Sequence, residues 1–317
     1  MKVPANAKYA IIEQMMNREG NMLNVKWLCE TAGVSRSGYY HYLNTAGLRE
    51  QREERDRADF ELILTAYKYR GYDKGARGIY MQLLHLKPPV SMNLKKIRRL
   101  MHKYGLFCPI RKPNPYRRLA KALKTDAVAD NLLNREFETH GPRMVLLTDI
   151  TYIINGKAPR CYMSTIIDAC TKELLAWVLS ESLEVDFVLE TVEIAMAEHG
   201  IEMTTETMIH SDQGVHYTSV QFRELVHDKN LRQSMSRRAN CWDNAPQESF
   251  FGHMKDEIDI SECSSFEEIH AVISDWTDYY NNERYQWDLA KLAPTEYYEY
   301  LTTGIYPLSI PKAKGQQ

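Results

Sequence analysis

The apolar positions along the chain follow two different periods. From residue 8 to about residue 105 they recur at helical spacing, and from residue 144 to about residue 235 they come in short dense runs. "YAIIEQMM" places Ile11, Ile12, Met15 and Met16 on one predicted helical stripe. "VKWLCETAGVSRSGYYHYL" reads as helix, turn at Gly33, then helix, with Ser35 as N-cap. A charged amphipathic helix is predicted over 47–69, with Phe60, Ile63, Leu64 and Tyr67 turned inward. "ARGIYMQLLHL" and "SMNLKKIRRLMHKYGL" predict a second helical pair, its latter helix capped by Ser91 and ended at Gly105. In that helix Leu94, Ile97, Leu100, Met101 and Tyr104 form the apolar stripe.

The pattern then changes. Pro109, Pro113 and Pro115 interrupt a basic stretch and suit a stiff linker. Beyond it, dense apolar runs predict strands at 144–154, 161–168 and 173–180, close enough in sequence for antiparallel hairpins, with "NGKAP" as the first turn. A helix over about 185–199, a strand in "ETMIHSDQG", a helix over 218–229, a short strand in "RQSMS" and a helix in "NAPQESFFGHMKDEI" complete the order, the last with Asn244 as cap. This succession predicts an α/β domain on a mixed sheet, preceded by an all-α region. The divisions expected are 1–46 (helix-turn-helix-like), 47–107 (charged helix and second helix-turn-helix-like region), 108–140 (basic, Pro-containing linker), 141–260 (α/β core) and 261–317 (helical extension and tail).

Charge sharpens this division. Residues 1–125 carry 25 Lys+Arg against 10 Asp+Glu, and the remainder 15 against 32. Arg70–Lys124 holds 15 basic residues and one acid, Asp73, which points to a polyanionic partner for that block. Arg36 near the start of the first candidate recognition helix, and Lys95, Lys96, Arg98, Arg99 and Lys103 on the second, are the candidate DNA contacts. A packing-only helical hairpin explains the first pair equally well, and a solvated basic face is the alternative for the second. No run of about 18 apolar residues and no basic-then-apolar leader is found, and the six cysteines are scattered without a C-x-x-C pair, so reduced thiols in a cytoplasm are expected.

Three acids stand where the predicted elements make them conspicuous. Asp149 lies inside the first strand, Asp212 at the end of the fourth, and Glu248 in the first turns of the helix that begins near Pro246. Crowded carboxylates repel, whereas divalent ions turn them into an oxygen-ligand site. Two ions about 4 Å apart activate an attacking oxygen and stabilise a leaving one in phosphodiester displacement. Phe251, Gly252 and Lys255 share the helix face of Glu248, and Lys255 is a candidate phosphate contact. Gly252 suits either close approach of a substrate backbone or close helix packing. Asp168, at the end of the second strand, is read as a turn or cap residue.

"LTDITYI", "HSDQGVHYTS" and "SMSRRANCWDNAPQESFFGHMKDE" resemble the three signature blocks of DDE transposases of bacterial insertion sequences, family three, and the chain is similar to their second-frame (OrfB-type) product. "GVSRSGYYHYL", "SMNLKKIRRLMHKYGL", "NLLNREF" and "YYNNERYQWDLAKLAPTEYYEYL" carry the likeness over nearly the whole chain. The resemblance implies an RNase H-like, retroviral-integrase-type core with a five-stranded mixed sheet. It implies that Asp149, Asp212 and Glu248 are the metal-holding catalytic triad and Lys255 the basic residue that follows it. It further implies Mg²⁺ or Mn²⁺ as cofactor with two ions per site. The partners implied are terminal inverted repeats and target DNA, a homo-multimer on synapsed ends, and a first-frame (OrfA) fusion or partner. The chain departs from the family pattern at Leu146, where tryptophan is usual, and in "YDKGARGIY", where a "YGYRRI"-like stretch is usual. No zinc is expected, because no matching His pair and Cys pair is present. A nuclease that cuts without joining strands, and a catalytically silent DNA-binding regulator, are the rival readings.

Overall fold

The computed structural model describes residues 3–109, 140–154, 157–236 and 245–308. Most of the Pro-containing linker, the "NLLNREF" segment, the tip of the first hairpin, the Asn244 cap and Cys241 lie outside the described residues. The chain divides into two compact units, Met1–Ile63 and Leu64–Gln317.

In the first unit, α1 (Ala5–Met16), α2 (Val25–Ala32) and α3 (Arg36–Asn44) pack around Tyr9, Ile12, Leu28, Cys29 and Tyr39. Gly33 takes a left-handed φ of 65° between α2 and α3, which a side chain would strain. Ser35 Oγ accepts from Gly38 N and caps α3 as expected. The stripe of α1 is displaced from the expected one. Tyr9 and Ile12 are buried and Met16 packs beside them, while Ile11 and Met15 face solvent. Tyr9 supplies the anchor by packing on Tyr39 and Tyr42, a cluster that apolar periodicity alone did not weigh. The long helix α4 (Ala46–Lys68) leads out of this unit.

The second unit takes in the last residues of α4, then a 3-10 turn over Tyr69–Gly71, α5 (Ala76–Leu84) and α6 (Leu94–Lys103). Ile97, Leu100 and Met101 are the buried stripe of α6, as its spacing predicts. Its cap is Asn93, whose side chain accepts from Lys95 N, rather than Ser91. The helix starts at Leu94, the first residue of the apolar stripe and two residues later than a Ser91 cap implied, so Asn93 occupies the position where an acceptor can reach an unpaired N–H.

The α/β part is a five-stranded sheet of β1 (Val145–Ile153), β2 (Cys161–Asp168), β3 (Leu174–Ser180), β4 (Met208–Ser211) and β5 (Arg232–Met235), in the order β3-β2-β1-β4-β5. The pairs β1–β2 and β2–β3 are antiparallel, and β1–β4 and β4–β5 are parallel, so the sheet is mixed and β1 is central. α7 (Asp186–His199) and α8 (Val220–Asp228) cover one face, burying Phe187, Val188, Val192 and Phe222 with Leu146, Ile166 and Ile209. α9 (Ala245–Glu257) and α10 (Phe266–Asn282) cover the other, where Phe250, Met254, Ile273 and Trp276 pack on Ile153, Met163 and Ile167. α11 (Pro294–Thr303) follows.

The α5 region is fastened to α10 and α11 by polar and aromatic contacts. Arg70 bonds Glu283 at 2.7 Å, Asp278 at 2.8 Å and Asp275 at 3.1 Å. Tyr72 stacks on Tyr279, and His85 stacks on Tyr285 while its Nε2 meets Glu296. Lys74, in the departing "YDKGARGIY" stretch, is buried, and its ammonium donates to the carbonyls of Tyr69 and Tyr72. Burial pulls its pKa down to about 8. It is therefore an internal tie of this region.

Candidate active site

Alternation along β1 sends Leu147, Asp149, Thr151 and Ile153 to the sheet face that α9 covers, and Leu146 and Thr148 to the other. Asp149 sits at mid-strand, half-buried, opposite Thr165 of β2. Its Oδ1 accepts from Ile150 N at 2.8 Å. Burial, with the charges of Asp212 and Glu248, raises its carboxyl to about 7. The Ile150 N–H and the Lys255 ammonium act in the other direction and do not offset it.

Asp212 follows β4 directly and is exposed, with Oδ1 accepting from Gly214 N at 2.8 Å. A Cβ on Gly214 would stand 2.8 Å from that oxygen, so a side chain there would displace the Asp212 carboxylate from its present position. Glu248 lies in the first turn of α9, exposed, between buried Gln247 and exposed Ser249. The three acids, separated in sequence, thus share one electrostatic neighbourhood at the middle of the sheet. Among the described residues, no three His, Cys, Asp or Glu side chains stand close enough to hold a single ion together. An all-carboxylate donor set around a half-buried anion still fits a hard cation, which takes one or two protein carboxylates and completes its shell with water and phosphate oxygens.

Lys255, two turns beyond Glu248, donates from Nζ to Thr151 Oγ1 at 2.6 Å, two residues from Asp149 on the same strand face. Partial desolvation lowers its pKa, against the pull of Asp149. Gly252 is exposed, and among the described residues an added Cβ would meet nothing within 4 Å. Under β1, fully buried Tyr217 places its hydroxyl 3.5 Å from Thr148 Oγ1. Burial, reinforced by Asp149 and Asp212, pushes that hydroxyl well up, and it stays protonated.

The other acid at a strand end, Asp168, is buried away from this group. Its carboxylate accepts from the backbone N–H groups of Arg143 and Cys170 and pairs with the Arg143 guanidinium at 3.2 Å. That is the turn role expected for it. Of the candidate DNA contacts, Arg36 is exposed at the start of α3 in the first unit. On α6, Lys95, Arg98, Arg99 and Lys103 are exposed and Lys96 is half-buried. Sequence reasoning passed over Gln247, Thr165 and Tyr217, because neutral polar residues inside an element carry no charge or spacing signal.

The central strand of the mixed sheet, the turn after the adjoining parallel strand and the first turn of α9 thus each contribute one acid to the electrostatic surroundings of Asp149. Two models described as "Integrase core domain" match residues 139–241 and 229–294, and one described as "HTH-like domain" matches residues 53–114. A transposase-like protein of Haemophilus influenzae is 32% identical over 215 residues, covering 67% of this chain and 95% of the relative. The transposase InsF for insertion sequence IS3A of Escherichia coli is 26% identical over 284 residues, 88% of this chain and 94% of the relative. A solved simian T-cell lymphotropic virus intasome, in complex with a PP2A regulatory subunit, aligns at 14% identity and a TM-score of 0.45 over 71% of this chain and 72% of that one. The chain belongs to the IS3 family of DDE transposases. It is a DNA transposase, an enzyme of the polynucleotidyl-transferase kind.

Proposed function

We propose that Asp149, Asp212 and Glu248 are the catalytic carboxylates and that they act on the ends of an insertion sequence. The observation that carries this is the half-buried Asp149 at the centre of the sheet, held within electrostatic reach of acids from two other elements. A carboxylate so placed is tolerable when ionised only beside a cation. Asp149, Asp212 and Glu248 would hold Mg²⁺ or Mn²⁺, two ions in the full site. Bound there, such ions supply charge stabilisation to both the attacking and the leaving oxygen.

The chain's own residues do the rest. Lys255, hydrogen-bonded to Thr151 on the Asp149 side of the sheet, would bind a phosphate oxygen. The open surface at Gly252 lets the DNA backbone lie close to α9. In the first reaction water adds to phosphorus at an element end, and the bond to the 3′ oxygen breaks, leaving a 3′-OH. In the second that 3′-OH attacks a target phosphodiester and displaces its 3′ oxygen. One phosphoester bond forms for each that breaks, so joining needs no energy input. The basic surface of α6, with Arg36 in the first unit, would bind inverted-repeat and target DNA, and synapsis of two ends calls for a homo-multimer. A first-frame partner fused to this chain belongs to the same proposal, as does action in the cytoplasm; among the described residues no helix is long and apolar enough to cross a membrane.

The test is strand cleavage and strand transfer on DNA carrying the element's own ends, with Mg²⁺. Wild type is expected to cut and, given pre-cut ends, to join them to target. Glu248→Gln is expected to bind the ends as wild type does and to lose cleavage by a factor of about 10³ or more. Cleavage without joining of pre-cut ends would make the chain a nuclease. Absence of cleavage by wild type under these conditions would leave a DNA-binding regulator.

A further inference from the structure

Gln247 stands beside Glu248 in the first turn of α9, yet the two point to different surroundings: Glu248 is exposed and the Gln247 side chain is fully buried. Gln247 Nε2 donates to Thr165 Oγ1 at 2.9 Å, Leu147 O at 3.2 Å and Thr165 O at 3.4 Å. Three acceptors around one atom identify that atom as the amide nitrogen. Thr165 is the β2 partner of Asp149 in the antiparallel register, and its Oγ1 donates in turn to Asp149 O at 3.4 Å. Leu147 lies two residues before Asp149 on the same face of β1. A buried chain of hydrogen bonds therefore runs from the neighbour of one acid to the backbone carbonyl of another.

The amide is not there for stability alone. Gln247 Oε1 is buried with no hydrogen-bond partner among the described residues, which costs stability that an apolar side chain would avoid. Phe250, Phe251 and Met254 already hold α9 against the sheet. Their contacts are non-directional and tolerate small rotations or slides of the helix. Hydrogen bonds to three fixed acceptors do not, since they weaken steeply with distance and angle.

We propose that Gln247 is a positioning residue for the reaction. It sets the depth and rotation of the first turn of α9 against β1 and β2, and so the place at which Glu248 presents its carboxylate to Asp149. The proposal rests on the reading of Asp149, Asp212 and Glu248 as the catalytic acids.

The test uses the full chain and two variants that keep side-chain volume, Gln247→Met and Thr165→Val, with their double variant. Four quantities are read: metal-free thermal unfolding, Mn²⁺ affinity from the electron paramagnetic resonance signal of unbound ion, affinity for end DNA, and single-turnover cleavage at saturating DNA. Gln247→Met is expected to bind DNA within about twofold of wild type, to bind Mn²⁺ several-fold more weakly, and to cut between about ten- and a hundredfold more slowly in the folded protein. Thr165→Val should move Mn²⁺ affinity and cleavage in the same direction, and the double variant should be little worse than Gln247→Met, because both break one chain. Wild-type cleavage and Mn²⁺ affinity in Gln247→Met, or losses that simply multiply in the double variant, overturn the proposal. If Gln247→Met does not fold, Thr165→Val decides: weaker Mn²⁺ binding and slower cutting support it, and wild-type values for both overturn it. Glu248→Gln is run beside them. If it cuts like wild type, the reading of the triad fails and the proposal falls with it; if it is inert while Gln247→Met is unimpaired, only the proposal fails.

Discussion

At Asp149 burial and the neighbouring acids act in the same direction, and Lys255 only partly opposes them. Its carboxyl, raised to about 7 by burial and by Asp212 and Glu248, binds a proton in the folded chain at pH values where an unfolded aspartate has lost it. Between about pH 4 and pH 7 the folded state thus holds more protons than the unfolded one, and stability falls as pH rises. The metal-free chain is expected to lose melting temperature from about pH 5 to about pH 7.5 and to level off above. Asp149→Asn should lack this component of the slope, and Mn²⁺ should raise the melting temperature more at about pH 7.5 than at about pH 5.5, since below about 7 protons compete for the same oxygens. Thermal scans in chelator and in metal across this range check both; parallel slopes for wild type and Asp149→Asn would contradict the assignment.

At the scale of single elements, α6 and α9 show what sequence pattern conveys. The stripe Ile97, Leu100 and Met101 was legible because burial of one helix face imposes its period on the sequence. The cap was not. Ser91 and Asn93 both carry a suitable acceptor, and only the helix's actual first turn, set by packing, selects Asn93. Asn93→Ala is expected to cost about 1 kcal/mol in denaturant unfolding, and Ser91→Ala close to nothing. The exposed cations of α6 make a second prediction. Replacing Lys95, Arg98 or Arg99 with Ala should each reduce the slope of log affinity against log salt by about 0.9 for every phosphate the side chain had neutralised, equally on element and unrelated DNA. A merely solvated face would leave the slope unchanged. In α9 the acid was legible and its neighbour was not, since the three acceptors that define Gln247 come from β1 and β2, far off in sequence.

For the molecule as a whole, the end of α9 is joined to α10 and the segment after it by a buried ion pair and an indole hydrogen bond. Arg284 pairs with Glu257 at 2.8 Å through a two-pronged contact, and Glu257 also accepts from Trp276 Nε1. Both partners are largely removed from water, so losing one leaves the other charge uncompensated. Glu257→Gln is expected to destabilise by about 3–5 kcal/mol, read from denaturant midpoints. The exposed pair Lys157–Glu262 should contribute under about 1 kcal/mol by the same measurement.

Strands, helices and their order were determined by the chain itself, because each element's period follows from which of its faces is covered, and the local signals of Gly33 and Ser35 agree with that period. The prominence of Asp149 was legible too, since a carboxylate inside an apolar run is costly enough to be conspicuous. Periodicity and spacing within single segments did not show which acids share a neighbourhood; the fold decided that. Asp168 ends a strand much as Asp212 follows one, yet the fold turns Asp168 onto Arg143 and brings Asp212 within electrostatic reach of Asp149. Strand order and helix register bring distant residues together, and neither has a signature that one segment can carry by itself.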